Sequence, residues 1–200
     1  MKHLNEYIKE SLLDVDDFDL DKIIQIEKIK EFIDENYDVK SYTISKKPNK
    51  DGKYVVDSKS DIMVKNKNIT NLTNDLFVWG EVGRDFDCRH CSSLTSLKGT
   101  PEKVGGSFRC PYCDSLTSLE GAPKKVGENF NCYWCDLLTS LKGAPKEVGG
   151  KFDCKHCESL TSLKGAPKEV GMNFNCYNCK TQFAEDDVRK VSNVKGKIIC

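Results

Sequence analysis

A block of 22 residues recurs along this chain without a change of length, and that regularity leaves few folds open. Phe-x-Cys-x-x-Cys stands at Phe86/Cys88/Cys91, Phe108/Cys110/Cys113, Phe130/Cys132/Cys135, Phe152/Cys154/Cys157 and Phe174/Cys176/Cys179. A fixed period of ~20–50 residues marks a solenoid or an array, in which each unit buries its apolar side chains against its neighbours. The unit from Val148 to Pro167 shows how. Phe152 and Cys154 alternate with polar residues, the period of a strand. Cys157, Leu160 and Leu163 then follow at steps of three, which fits a tight arc. Gly165 and Pro167 mark a corner, and Pro167 to Val170 is predicted to form one helical turn that Gly171 ends.

The register reaches beyond the five full units. Val64, Ile69 and Leu72 stand one period before Phe86, Cys91 and Leu94, so a degenerate first unit is predicted from about Ile62. Terminal units are atypical because each covers an otherwise exposed core. At the far end, Val194-x-Gly196-x-Ile198-x-Cys200 repeats the spacing of Val170 to Cys176 after a two-residue insertion. Cys200 is therefore expected to start a further strand and not to be a stray reactive thiol. The predicted organisation is an amphipathic helix over 1–13, a helix and β-hairpin over 14–61, the solenoid over 62–183, and a cap helix with a final strand over 184–200. In the second segment, Asp19 or Asp21 is placed to cap a helix from about Leu20 to Tyr37. Pro48 to Gly52 supplies turn chemistry between two β-prone runs.

The unit resembles a leucine-rich repeat. Phe152 and Cys154 take the two strand leucines and Cys157 the Asn/Cys position. It departs by one extra residue between Cys157 and Leu160 and by Cys for the second strand leucine. The fold class implied is β-rich, α+β overall: a leucine-rich-repeat-like solenoid with one parallel sheet, preceded by a small helical and hairpin segment. The run Leu-Thr-Ser-Leu-Lys-Gly-Ala-Pro-Lys-Glu-Val-Gly-Gly, and the front end from Met1 to Glu10 and through Ile44 to Val56, also resemble repeat proteins of tailed bacteriophages and prophages. That likeness implies a setting and no mechanism. Met1 to Glu10 further resembles the capsid-targeting leader of internal phage head proteins. Ile8-Lys9-Glu10 would then be the hydrophobic-x-Glu triplet, with cleavage between Glu10 and Ser11 and packaging in the virion.

Lys plus Arg and Asp plus Glu each number 31, so the net charge is zero. Phosphate contacts supply most nucleic-acid affinity, so no nucleic-acid partner is expected. No apolar run approaches the ~18 residues of a membrane span, and no membrane partner is expected. The first residues carry no secretory pattern, and the host cytoplasm is the expected location. The three histidines, His3, His90 and His156, do not assemble a catalytic set, and no Gly-rich phosphate loop precedes a helix. A non-enzymatic monomer without a cofactor is expected.

The cysteines admit two readings. Cys88-x-x-Cys91 followed by Cys110-x-x-Cys113 has the pair spacing of a zinc ribbon, which makes a zinc-bearing structural or interaction protein the alternative. Three points favour packing, and so no metal. Five pairs leave one over, each pair lies on its own strand, and the leucines already account for the period. Equivalent cysteines on strands ~4.8 Å apart would stack in two ladders as small hydrophobes.

Residues flanking the inward Phe and Cys point outward. Arg89, His90, Arg109, Tyr112, Tyr133, Trp134, Lys155, His156 and Tyr177 are thereby expected on an exposed strand face. Core positions hardly change between units while these do. Exposed Tyr, Trp and Arg on a rigid sheet suit a protein partner.

Overall fold

The computed structural model describes residues 19–200. The predicted helix over 1–13, the Glu10–Ser11 bond and most of the acidic linker lie outside the described residues. Helix α1 (Leu20–Asn36) starts where Asp19 caps it, its Oδ1 accepting from the Lys22 N–H at 3.0 Å. Ile29 and Ile33 are fully buried and Ile26 and Phe32 pack beside them. Ile23, on the same periodic face, is 42% exposed, since only the later turns of α1 lie over the core. Strand β1 (Tyr37–Val39) follows at once. The predicted hairpin forms from β2 (Thr43–Ile44) and β3 (Tyr54–Ser58), paired antiparallel. Its turn closes through the Gly52 N–H on the Asn49 carbonyl, with Gly52 at φ +75°. No described helix is long and apolar enough to cross a membrane.

From β4 (Ile62–Val64) the chain coils. Each turn lays down one short strand at the Phe end and one at the Val end. The Phe-end strands are β6 (Phe86–Asp87), β8 (Phe108–Arg109), β10 (Phe130–Asn131), β12 (Phe152–Asp153) and β14 (Phe174–Asn175). The Val-end strands are β5 (Phe77–Val82), β7 (Lys103–Val104), β9 (Lys125–Val126), β11 (Glu147–Val148) and β13 (Glu169–Val170). A short helix α2 (Glu185–Arg189) precedes β15 (Asn193–Val194) and β16 (Ile198–Ile199).

These strands form two sheets of eight, one ordered β1-β4-β6-β8-β10-β12-β14-β16 and the other β15-β13-β11-β9-β7-β5-β3-β2. All pairings along the coil are parallel, and between the full units they keep the 22-residue step: Phe130 lies beside Phe108 and Phe152, Val148 beside Val126 and Val170. The step widens at both ends, where Ile62 lies beside Phe86 and Ile198 beside Phe174. The solenoid and its N-terminal helix and hairpin are thus as the sequence implies, with one correction. The sequence reading allots one parallel sheet and a helical turn over Pro167–Val170; the structure makes that segment a strand of a second sheet. The N–H groups of Lys168 and Glu169 both reach the Lys146 carbonyl on the preceding turn, at 2.9 and 3.2 Å. A helical turn would direct them along its own axis and leave the neighbouring carbonyl unpaired.

Between the sheets runs a column of phenylalanines. Phe86, Phe108, Phe130, Phe152 and Phe174 follow one another at centroid distances of 5.6, 5.2, 5.3 and 5.0 Å, all fully buried. Beside it stand two columns of buried thiols. Cys113, Cys135, Cys157 and Cys179 each donate to the carbonyl of a cysteine on the turn before, at 3.2–3.3 Å. The degenerate first turn joins this core through Ile62, Val64, Ile69 and Leu72, but it is Ile62, and not Val64 as the 22-residue period implies, that lies beside Phe86. At the N-terminal end Tyr37, Phe77 and Trp79 close it edge to face.

The packing gives a first expected result. Cys132→Ser should lower the unfolding free energy by about 1–3 kcal/mol, because a buried hydroxyl replaces a soft apolar sulfur without a good partner. Urea titration of reduced protein measures this. A midpoint unchanged from the parent would show that the Cys132 column has room or water enough to satisfy an oxygen.

Candidate functional site

Each turn makes a sharp corner between its two cysteines, and the second corner residue is left-handed every time. His90, Tyr112, Trp134, His156 and Asn178 have φ of 61, 56, 55, 56 and 53°. An L-residue with a bulky side chain resists this conformation at ~1–2 kcal/mol, while asparagine tolerates it. Asn178 is therefore an ordinary occupant and the four rings are not. The left-handed residue also breaks strand alternation. The strands stop at Asp87, Arg109, Asn131, Asp153 and Asn175, so the expected exposed strand face is instead a corner ridge. Arg89, His90, Tyr112, Tyr133, Trp134, Lys155, His156 and Tyr177 lie on it, and Arg109 alone of the predicted set remains in a strand.

The corner backbones bond along the solenoid axis. The N–H groups of His90, Tyr112, Trp134 and His156 donate to Pro111, Tyr133, Lys155 and Tyr177 carbonyls at 2.9, 3.2, 3.2 and 2.9 Å. This sets successive corners at the spacing of stacked rings. His90, Tyr112, Trp134 and His156 accordingly form one column, with centroids 4.7, 6.3 and 4.5 Å apart and planes within 10° of parallel. Asn178 ends it, its Nδ2 donating to His156 Nδ1 at 2.9 Å. Tyr133 stands edge-on to Tyr112 and Tyr177 edge-on to His156, both at 5.8 Å. Lys155 Nζ lies 5.3 Å from the Tyr133 ring centroid, within cation–π reach. Tyr112 is 38% and Tyr177 53% exposed.

The two predicted arginines are already engaged. Arg89 grips Asp87 through Nε at 2.9 and 2.7 Å, and Asp87 is buried. Arg109 reaches Asp85 Oδ2 at 2.5 Å. Partial burial works against ionisation of Asp85, yet the Ser107 N–H and Arg109 hold its carboxyl below the usual range. Arg89 is thus fastened within its own turn and Arg109 to the turn before, while Lys155, 3.9 Å from Asp153 Oδ2, is the cation beside the rings.

The ten paired cysteines are all buried and unbridged. Burial lifts the Cys91 thiol to about 12 and pushes Cys132 and Cys154 well above the ordinary range. Among the described residues no group of three or more His, Cys, Asp or Glu is placed to hold a metal ion. Cys200 corrects an expectation. It does follow the last strand at the next ladder position, but its thiol is exposed. Among the described residues β16 pairs with β14 alone, so no strand covers its other side.

A second feature escaped the sequence reading. A cleft of ≈ 680 Å³ opens between α1 and the degenerate turn, lined by Asn36, Asn66, Asn68, Asn71 and Asn74 beside Phe32. Its signal was the asparagine-rich run from Asn66 to Asn74, where core residues lapse from the repeat.

No family model, no curated protein and no solved structure matches the chain.

Proposed function

We propose that the chain is a non-enzymatic protein-binding module whose partner docks on the corner ridge around Tyr112, Tyr133, Trp134, His156 and Tyr177. The observation that carries this reading is the ring column held in left-handed backbone. Strained conformations persist where the surroundings enforce them, and they cluster at functional sites. Asparagine or glycine would fill these corners at less cost, and Asn178 does so at the end of the column. Stacking offsets part of the strain for the inner rings, but it does not call for the exposed Tyr177, or for Tyr133 beside Lys155. Rigid aromatic groups with polar edges give large contact area at little entropy cost, the character of interface hot spots. The phage setting implied by the repeat wording would make that partner a host protein or a protein of the particle.

Replacing Tyr133 and Trp134 together by alanine should leave the unfolding midpoint close to that of the parent. It should weaken the complex with a partner captured from host lysate by about 30-fold or more, equivalent to ~2 kcal/mol. Titration calorimetry on the identified partner reads the change. An unchanged affinity would move the interface off the ridge and end this reading.

A further inference from the structure

The last described turn carries a pair of thiols. Strand β16 bonds to β14 alone within its sheet, and β15 to β13 alone. Cys200 follows β16 in register with Cys176 after β14, and the Cys176 N–H donates to the Ile199 carbonyl at 2.8 Å. The two sulfurs stand 3.6 Å apart. Neighbouring parallel strands lie ~4.8 Å apart, inside the ~4.4–6.8 Å window of Cα separations that a disulfide spans. The sulfurs need to close by only about 1.5 Å to reach bonding distance. Every other cysteine is buried, while Cys200 is exposed. A reagent in solution can therefore reach Cys200, and its nearest sulfur is Cys176.

We propose that Cys200 and Cys176 form a modification site at which a small-molecule disulfide such as glutathione disulfide installs an intramolecular bridge. The Cys200 thiolate attacks one sulfur of the reagent, a Cys200–glutathione disulfide forms, and one glutathione thiolate leaves. Cys176 then loses its proton to solvent and attacks the Cys200 sulfur, which forms the Cys176–Cys200 bond and expels the second glutathione. Two protein thiols are oxidised and one reagent disulfide is reduced to two thiols. Burial raises the Cys176 thiol, so the second step is the slower one and quickens as pH rises. The bridge ties down the part of the fold with least support. The terminal unit of a repeat stack has a neighbour on one side only and opens most readily. The bridge closes α2, β15 and β16 into one loop and pins the end of β16 beside β14, which restricts how far these elements can open.

The test treats the reduced full chain with glutathione disulfide and follows it by intact mass, peptide mapping and hydrogen exchange. The expected product is a monomer lighter by two hydrogens, with a peptide linking Cys176 to Cys200. Amide exchange across 185–199 should slow by roughly tenfold or more against the reduced protein. Cys200→Ser, a change at an exposed position that keeps the fold, should abolish both the bridge and the slowing. Cys176→Ser should trap glutathione on Cys200. A glutathione adduct that persists on Cys200 in the parent, a Cys200 bridge between two copies, or no reaction would each overturn the proposal.

Discussion

Replacing Gly149 by alanine is expected to destabilise the solenoid by about 3–5 kcal/mol, enough to unfold a marginal domain. A Cβ at Gly149 would fall 2.1 Å from the Gly127 carbonyl oxygen on the turn before. The same clash waits at Gly127 and Gly171, where the nearest carbonyl oxygen lies 2.0 Å away. These glycines stack on one another, and each also donates its N–H axially, Gly149 to the Val126 carbonyl at 2.9 Å. The atom in the way is backbone on both sides, so no side chain can swing aside. Relief requires two turns to separate, and that stretches the bonds of both sheets. Gly52 is the control. It is left-handed at φ +75°, yet nothing lies within 4 Å of its would-be Cβ. Gly52→Ala should therefore cost only about 1 kcal/mol, the conformational term alone. Urea or thermal unfolding of the two variants side by side measures the difference. Equal losses would mean that the stack has slack and that its spacing is not set by the glycine column.

Alkali should unfold the protein through its thiols. A cysteine free in an unfolded chain ionises near pH ~8.5. In the fold, the neighbouring thiols Cys113 and Cys135 together with burial hold Cys88 and Cys110 neutral well above that. Burial leads for Cys132 and Cys154, and it lifts Cys91 to about 12. The folded-state values are raised, so the native state binds more protons than the unfolded one above pH ~8.5, and stability falls as pH rises. It is fully present below the unfolded value and drains away toward the folded ones. Each such thiol removes about 1.4 kcal/mol per pH unit, so the set removes roughly 5–10 kcal/mol between pH 9 and pH 10.5. The urea midpoint of reduced protein should drop steeply across that window and stay flat from pH 6 to pH 8. A midpoint equal at pH 7.5 and pH 10 would show that the thiols are not held neutral by burial.

What the sequence determined by itself is the repeat and its inward side chains. Phe130, Cys132, Cys135, Leu138 and Leu141 recur at a period no other fold needs, and all five are fully buried. The worn turn was legible in part: Val64, Ile69 and Leu72 are buried as expected, but Ile62 and not Val64 takes the place beside Phe86. Burial is a property of residue type and spacing, and one chain carries both. The second sheet was not legible. Lys-Glu-Val reads equally as a helical turn or a short strand, and only the carbonyl of the turn beside it selects the strand. The ridge was read as to membership but not as to shape. Tyr112 and Tyr177 are exposed as expected and Trp134 is half-buried, yet no local rule places aromatic rings in left-handed backbone. That conformation is strained within one unit and becomes tolerable when the next unit supplies an axial hydrogen bond and a ring to stack on. Cys200 shows the same dependence from the other side. Its position in the repeat assigns it to the buried ladder, but burial there needs a paired turn on each side, and among the described residues β16 pairs with β14 alone.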